Sequence, residues 1–165
     1  MDETAARIDG VSVTGSDRFE DFYASSASRV RRTLSVILGN AELAGEATDE
    51  AMTKAFERWG RLSRSENPAG WVYWVGLNWA KRQVRRRSYD VSRAGWPVAT
   101  EDLPTPDPHL WQALDRLSTD HRTVVVLRYA EDWSVNQIAD ALNIATGTVK
   151  SRLHRALSEL REELE

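Results

Sequence analysis

The sequence predicts an all-α protein, with two small helical domains joined by an extended linker. Three observations predict it. Apolar residues recur at helical spacing through both ends of the chain. The stretch Ser134 to Leu157, SVNQIADALNIATGTVKSRLHRAL, reads as two short helices around a tight turn. Between the two ends, residues 90–108 hold four of the chain's five prolines, a density that forbids a regular helix. The expected organisation is a disordered tail over residues 1–15, a first domain over 16–89, the linker over 90–108 and a second domain over 109–165.

In the first domain, Phe19, Phe22 and Tyr23, then Val30, Leu34 and Ile37 or Leu38, form one helical stripe that ends near Gly39 and Asn40. A second helix is expected from Ala41 to Trp59, with Leu43, Ala47, Ala51, Ala55 and Phe56 apolar and Glu46, Asp49, Glu50 and Lys54 exposed. A loop follows from Gly60 to Gly70. Pro68 suits the first turn of a third helix, which runs to about Arg87. On that helix Trp71, Val72, Val75 and Trp79 make one arc, and Trp74, Asn78, Lys81 and Arg85 fall on the neighbouring one. The second arc joins an aromatic ring, an amide and two cations, a pattern suited to stacking on unpaired bases while holding the backbone. Aromatic residues at helical spacing are also common core, which is the stronger reading for Trp71 and Trp79 and an even contest for Trp74. The direction of Tyr73 and Leu77 is left open.

In the second domain, Leu110, Leu114 and Leu117 suggest a short helix, and Ser118 caps the next one, Thr119 to Ala130. Three consecutive valines, Val124 to Val126, favour a strand locally, but a lone strand among helices would have no partner. Ser134 and Gln137 form a capping box that starts the next helix. Asn143 can take the left-handed conformation that the turn demands. In the last helix Val149, Leu153, Ala156 and Leu160 share one face, Thr148, Ser151 and Arg155 lie opposite, and Lys150, Arg152 and His154 flank them. Such a face can enter a major groove, although a solvated surface on a helical hairpin has the same composition.

The net charge of −3 hides an uneven distribution: residues 16–90 carry 13 positive and 10 negative groups, whereas residues 109–165 carry seven and nine. The strongest basic cluster is Lys81, Arg82, Arg85, Arg86 and Arg87, a footprint of phosphate contact. There is no cysteine, which excludes disulfides and thiolate zinc sites, and the three histidines have no metal-ligand spacing. No metal or cofactor is expected. No nucleophile or carboxylate pair has the spacing of a catalytic site, so the chain is not expected to be an enzyme. The acidic N-terminus lacks an apolar run, and VYWVGLNWA is too short to span a bilayer, so a cytoplasmic location is expected.

Taken together, residues 18–163 resemble the group IV, or extracytoplasmic-function, sigma factors of bacterial RNA polymerase. LSTDHRTVVVLRYAEDWSVNQIADALNIATGTVKSRLHRALSEL is similar to sigma region 4, with GTVKSRLHRA its most specific string. AELAGEATDEAMTKAFERW and NPAGWVYWVGLNWAKRQVRRR are similar to region 2. The resemblance implies a factor that binds core polymerase, recognises the minus-ten and minus-thirty-five promoter elements and promotes opening of the DNA. It places Glu46, Asp49, Glu50 and Lys54 on the helix that docks on the β′ clamp helices, with the β flap as a second contact. It puts residues 62–67, including Ser63, Arg64 and Asn67, on the loop that captures a flipped base, and Trp74, Asn78, Lys81, Arg82, Arg85 and Arg86 on the melting helix. Thr148, Lys150, Ser151, Arg152, His154 and Arg155 match the minus-thirty-five recognition helix. The linker acids Glu101, Asp102 and Asp107 would lie toward the polymerase's nucleic-acid channel, or serve as solubilising charge. An anti-sigma factor is a further partner that the family allows. The chain departs from the family pattern at Ala145, where a capping Ser is frequent, at Asn143, where Gly is common, and at Asp49, where Gln is frequent. Two other readings stay open on residues alone: a stand-alone dimeric helix-turn-helix regulator, and an adaptor that keeps polymerase docking without promoter recognition.

Overall fold

The computed structural model describes residues 13–86 and 107–165. Among these residues there are eight helices and no strand: α1 (Val13–Leu38), α2 (Ala41–Glu57), α3 (Trp59–Leu62), α4 (Pro68–Arg86), α5 (Pro108–Arg116), α6 (Thr119–Tyr129), α7 (Val135–Leu142) and α8 (Thr146–Leu164). No helix among them is long and apolar enough to cross a membrane. Most of the expected tail and linker, including Glu101 and Asp102, lies outside the described residues. Val13 to Gly15, expected in the tail, belong to α1.

The first half is a bundle of α1, α2 and α4 with the single turn α3 at one end. Gly39 turns the chain with a φ of 64°, and the Asn40 side chain accepts a hydrogen bond from Leu43 N at 2.9 Å to start α2. Val30, Leu34 and Ile37 of α1 meet Ala44, Ala47 and Ala51 of α2 and Val72 of α4, all essentially buried. Small residues let these helices approach closely. A Cβ added at Gly76 would lie 3.1 Å from Leu34 Cδ1 and 3.3 Å from the Ala47 carbonyl oxygen, a tight fit that glycine avoids.

At the outer end of α1, Phe22 stacks on Trp59 with centroids 5.0 Å apart, and Phe19 meets the same ring edge-on at 5.4 Å. Two expectations change here. The second helix stops at Glu57, and Trp59 opens the separate turn α3. Phe56, expected on the apolar side, is 56% exposed although Met52, Ala55 and Trp59 around it are buried; it stands at the margin of the buried face with Phe19 as a ring partner.

In the second half, Asp107 caps α5 by accepting from His109 N, and Ser118 caps α6 by accepting from His121 N. The valine run is helical. Val124 to Val126 are all buried because α6 is surrounded by α8, α7 and α1, so burial overrides the local preference for strand. The capping box of α7 is complete: Ser134 Oγ accepts from Gln137 N at 3.1 Å, and Gln137 Oε1 accepts from Ser134 N at 2.9 Å. Asn143 follows in the left-handed region at φ 53°, ψ 48°. α8 then buries Val149, Leu153, Ala156 and Leu160, as their spacing predicts.

The two halves pack against each other through α1 with α6 and α4 with α7. At the junction Glu131 is 9% exposed, accepts a hydrogen bond from Thr33 Oγ1 and pairs with Arg29 Nε at 2.6 Å. Tyr73 lies edge-on to Trp133 at 5.3 Å. Its hydroxyl is buried beside Thr33 and Glu131 and makes no hydrogen bond, and burial pushes its pKa well above the ordinary phenol value.

Candidate nucleic-acid interface

Two surfaces carry the expected DNA contacts. The first lies on α4 and on the loop that precedes it. The Asn67 Oδ1 accepts from Gly70 N at 2.9 Å, so this residue starts α4 as a cap as well as standing on the expected base-capturing loop. Ser63 closes α3 and is half-buried, while Arg64 is exposed. Between this loop and α7 lies a cavity of about 530 Å³ lined by Asn67, Trp71 and Trp74 on one side and Gln137, Asp140 and Asn143 on the other.

Along α4 the faces separate by burial. Val72 and Val75 are buried, Trp71 and Trp79 pack against the core at its margin, and Trp74 is 37% exposed. Asn78 donates from Nδ2 to the Trp74 carbonyl at 2.9 Å, which fixes its amide beside the ring. Lys81 is half-buried; Arg82, Arg85 and Arg86 are exposed, the last two in the final turn, where cations also complement the helix dipole. Tyr73 and Leu77 are 1% and 3% exposed. Their direction was not legible from periodicity because α4 is covered on two sides, by its own bundle and by the second half.

The second surface is the outer face of α8. Lys150, Ser151, His154 and Arg155 are exposed, and Thr148 and Arg152 are half-buried. Ser151 Oγ donates to the Thr148 carbonyl at 3.1 Å, a local bond that an incoming phosphate can replace. Ala145 precedes the helix with an extended backbone and no side-chain cap, in contrast with α7.

The structure brings these two surfaces to one point. Asp120, in the first turn of α6, pairs through Oδ1 with Lys81 Nζ at 3.0 Å and through Oδ2 with Arg152 Nη2 at 3.4 Å. Partial burial opposes ionisation of Asp120, but the hydrogen bond and charge of Lys81, with Arg152 and His121 adding to them, outweigh it and hold the carboxyl below its ordinary value. Asp120 had no signal in the sequence. An acidic residue two places after a capping Ser reads as an ordinary first-turn acid.

The candidate polymerase-docking residues stand apart, on α2. Asp49 is exposed; Glu46, Glu50 and Lys54 are half-buried, and Lys54 Nζ pairs with Glu50 Oε1 at 3.0 Å one turn away. Phe56 lies on the same exposed face as Asp49 and adds an apolar contact that sequence reasoning assigned to the core. Among the described residues no group of three or more His, Cys, Asp or Glu is placed to hold a metal ion.

Comparison with known proteins matches residues 22–89 to sigma-70 region 2 and residues 109–160 to sigma-70 region 4. The RNA polymerase sigma factor CarQ of Myxococcus xanthus is 31% identical over 154 residues, covering 88% of each chain. The ECF RNA polymerase sigma factor SigL of Mycobacterium tuberculosis is 31% identical over 171 residues, covering 94% of each. The fold is similar to that of the sigma factor RpoE in its co-crystal structure with the anti-sigma factor NepR from Bartonella quintana. The TM-score is 0.75 at 22% identity, over 90% of this chain and 97% of that one.

Proposed function

Because the chain belongs to the extracytoplasmic-function sigma factors of RNA polymerase, we propose that its two DNA surfaces divide promoter recognition, α4 with its preceding loop engaging an opened minus-ten element and α8 reading a duplex minus-thirty-five element. The chain is a sigma factor for transcription initiation. On this reading its domains are region 2 over residues 16–89 and region 4 over 109–165, joined by the linker 90–108.

The observation that carries the assignment is the Trp74, Asn78, Lys81 stripe, in which a partly exposed ring and amide are flanked by cations on the helix that region 2 supplies. A ring of this kind stabilises unpaired bases at about 1–3 kcal/mol per contact, while Arg82, Arg85 and Arg86 hold the backbone. In region 4, Lys150, Ser151 and Arg155 face outward from a helix whose opposite side is core, the geometry of a recognition helix. A stand-alone helix-turn-helix regulator would leave the α4 stripe without a role.

The mechanism is differential binding. Flipped and stacked bases make contacts with α4 and its loop that paired bases cannot, so the open duplex is favoured over the closed one. Core polymerase is the partner that holds both surfaces at the spacing of the two elements, with Asp49, Glu46, Glu50, Lys54 and the exposed Phe56 as the α2 docking face. Bond making belongs to the polymerase, and the reading gives this chain no catalytic residue and no cofactor. Its place of work is then the cytoplasm, where the chromosome is, and a protein that covers either DNA surface would act as an anti-sigma factor. The test is transcription by core polymerase with and without the purified chain. The expected result is promoter-dependent transcripts, and absence of association with core polymerase overturns the reading.

A further inference from the structure

We propose that Arg58, Arg61 and Arg64 form a phosphate track for single-stranded DNA, which holds the backbone of the nucleotides next to the base captured beside Asn67. The inference rests on the reading of α4 and its preceding loop as the surface for an opened minus-ten element, and it adds Arg58 and Arg61 to that surface. Its basis is a row of three exposed arginines, spaced three residues apart, that runs along the cavity beside Asn67.

The backbone sets the row. Arg61 N donates to the Arg58 carbonyl at 3.0 Å, and Arg64 N donates to the Arg61 carbonyl at 3.2 Å. Bonds over three residues tighten the turn toward three residues, at which side chains three apart eclipse one another. Trp59 and Leu62 are the buried row of the same segment, which leaves Arg58, Arg61 and Arg64 together on the outside. Among the described residues, nothing beyond the neighbouring chain lies within 4 Å of a Cβ built at Gly60, so one flank of the row is open. Successive arginines are separated by about 4.5–6 Å of helix rise, a gap that their long side chains can stretch to the length of a nucleotide.

Charge and position point the row at DNA. None of the three arginines forms an ion pair among the described residues, whereas Lys54, Lys81 and Arg152 each have a carboxylate partner. Arg58 instead lies over the Trp71 ring, with Cζ 5.7 Å from its centroid. Trp71 walls the cavity beside Asn67 together with Leu62 and Ser65, which follow Arg61 and Arg64 in the chain. The row therefore begins behind a ring of the base cavity and ends on the loop that captures the base. Guanidinium groups without a carboxylate partner are free to hold phosphate oxygens through paired N–H donors. Polymerase fits the row less well, because Arg58 stands about 180° round α2 from Asp49 and so faces away from the proposed docking side.

The test uses the full chain bound to core polymerase, with a promoter fork whose minus-ten segment has a single-stranded non-template strand. Affinity is measured against salt for the parent, for Arg58→Gln, Arg61→Gln and Arg64→Gln combined, and for the same three positions changed to Lys. Neutral methylphosphonate linkages are then placed one at a time along the single strand. Binding is compared at matched folded fractions from urea denaturation, which allows for loss of the Arg58 contact with Trp71. The glutamine variant should bind roughly 3- to 100-fold more weakly, the range for three exposed charge contacts. It should also flatten the plot of log affinity against log salt by about 2, since each single-strand phosphate contact contributes about 0.7. The lysine variant should keep the slope. Methylphosphonates beside the captured base should weaken binding of the parent and have little effect on the glutamine variant, which has already lost those contacts. An unchanged slope overturns the track, and so do equal methylphosphonate effects in the two proteins or loss of slope in the lysine variant. If the glutamine variant loses core polymerase and keeps the parent's methylphosphonate pattern, the row is a polymerase contact and the proposal is wrong. Failure of the sigma assignment has a separate signature: the parent chain with core polymerase then yields no promoter-dependent transcript.

Discussion

Trp74→Ala tests the heart of the assignment, and its size can be worked out. The ring is 37% exposed, while its neighbour Val72 on the same helix is fully buried. If Trp74 stacks on an unpaired base, its loss removes about 1–3 kcal/mol from the open complex, which is roughly 5- to 150-fold in the opening equilibrium. Truncation also removes packing in the folded chain, so a fall in stability alone decides nothing. Val72→Ala supplies the comparison: two buried methyl carbons and the cavity they leave cost about 2 kcal/mol of folding stability. That variant should open promoters normally at temperatures where it stays folded. Trp74→Phe, which keeps an aromatic face, should recover most of the loss. Opening is read from a fluorescent base analogue in the non-template strand of a promoter found by mapping transcription starts after induced expression. If Trp74→Ala and Val72→Ala open DNA equally well at matched folded fractions, stacking by Trp74 is wrong.

Four further outcomes follow from the geometry. Ser134→Ala breaks the capping box of α7 and should lower stability by about 1 kcal/mol in urea denaturation. Ala145→Ser supplies α8 with the side-chain cap it lacks and should raise stability by a similar amount, about 0.5–1 kcal/mol, with no gain if the backbone there cannot form the cap. Arg155→Ala should weaken binding of the polymerase complex to a minus-thirty-five duplex and, if Arg155 contacts a phosphate, flatten the plot of log affinity against log salt by about 0.9; an unchanged slope and affinity would remove Arg155 from the interface. Folding lowers the Asp120 pKa below its ordinary 3.8, through Lys81 with Arg152 and His121 against the opposing effect of burial, so the folded form binds fewer protons and acid weakens it. The contribution is therefore complete above the ordinary value and is lost only as pH falls through the depressed one. Stability in urea denaturation should show an acid step below about pH 4 that Asp120→Asn diminishes.

The fold was legible wherever one rule decided the local structure. The capping box at Ser134, the left-handed Asn143 and the four-residue stripe of α8 stand where their patterns put them. Apolar periodicity states which face wants cover, and here it reached its limit at α4. Tyr73 and Leu77 belong to a third face, and only the docking of the second half explains why it is apolar. Phe56 failed for a different reason, since it stands at the edge of the apolar stripe and the core covers Met52, Ala55 and Trp59 beside it but not Phe56 itself. Of the candidate DNA residues, the cations and Trp74 were readable from composition and period. The carboxylate that joins the two surfaces was not, because a contact between residues 39 positions apart leaves no local trace.

Gly76 is two residues beyond Trp74, about 200° round the helix, so a tight contact of α4 with α1 and α2 lies behind the stripe offered to DNA. The depth of α4 is therefore set from the rear. A single methyl added at Gly76 would press on Leu34 Cδ1 and the Ala47 carbonyl oxygen, and where these do not give by a few tenths of an ångström α4 shifts outward, carrying ring, amide and lysine with it. Sequence change in the interior can thus retune the reach of the surface without altering any residue that touches nucleic acid, and drift in promoter preference between related chains has a route through the core.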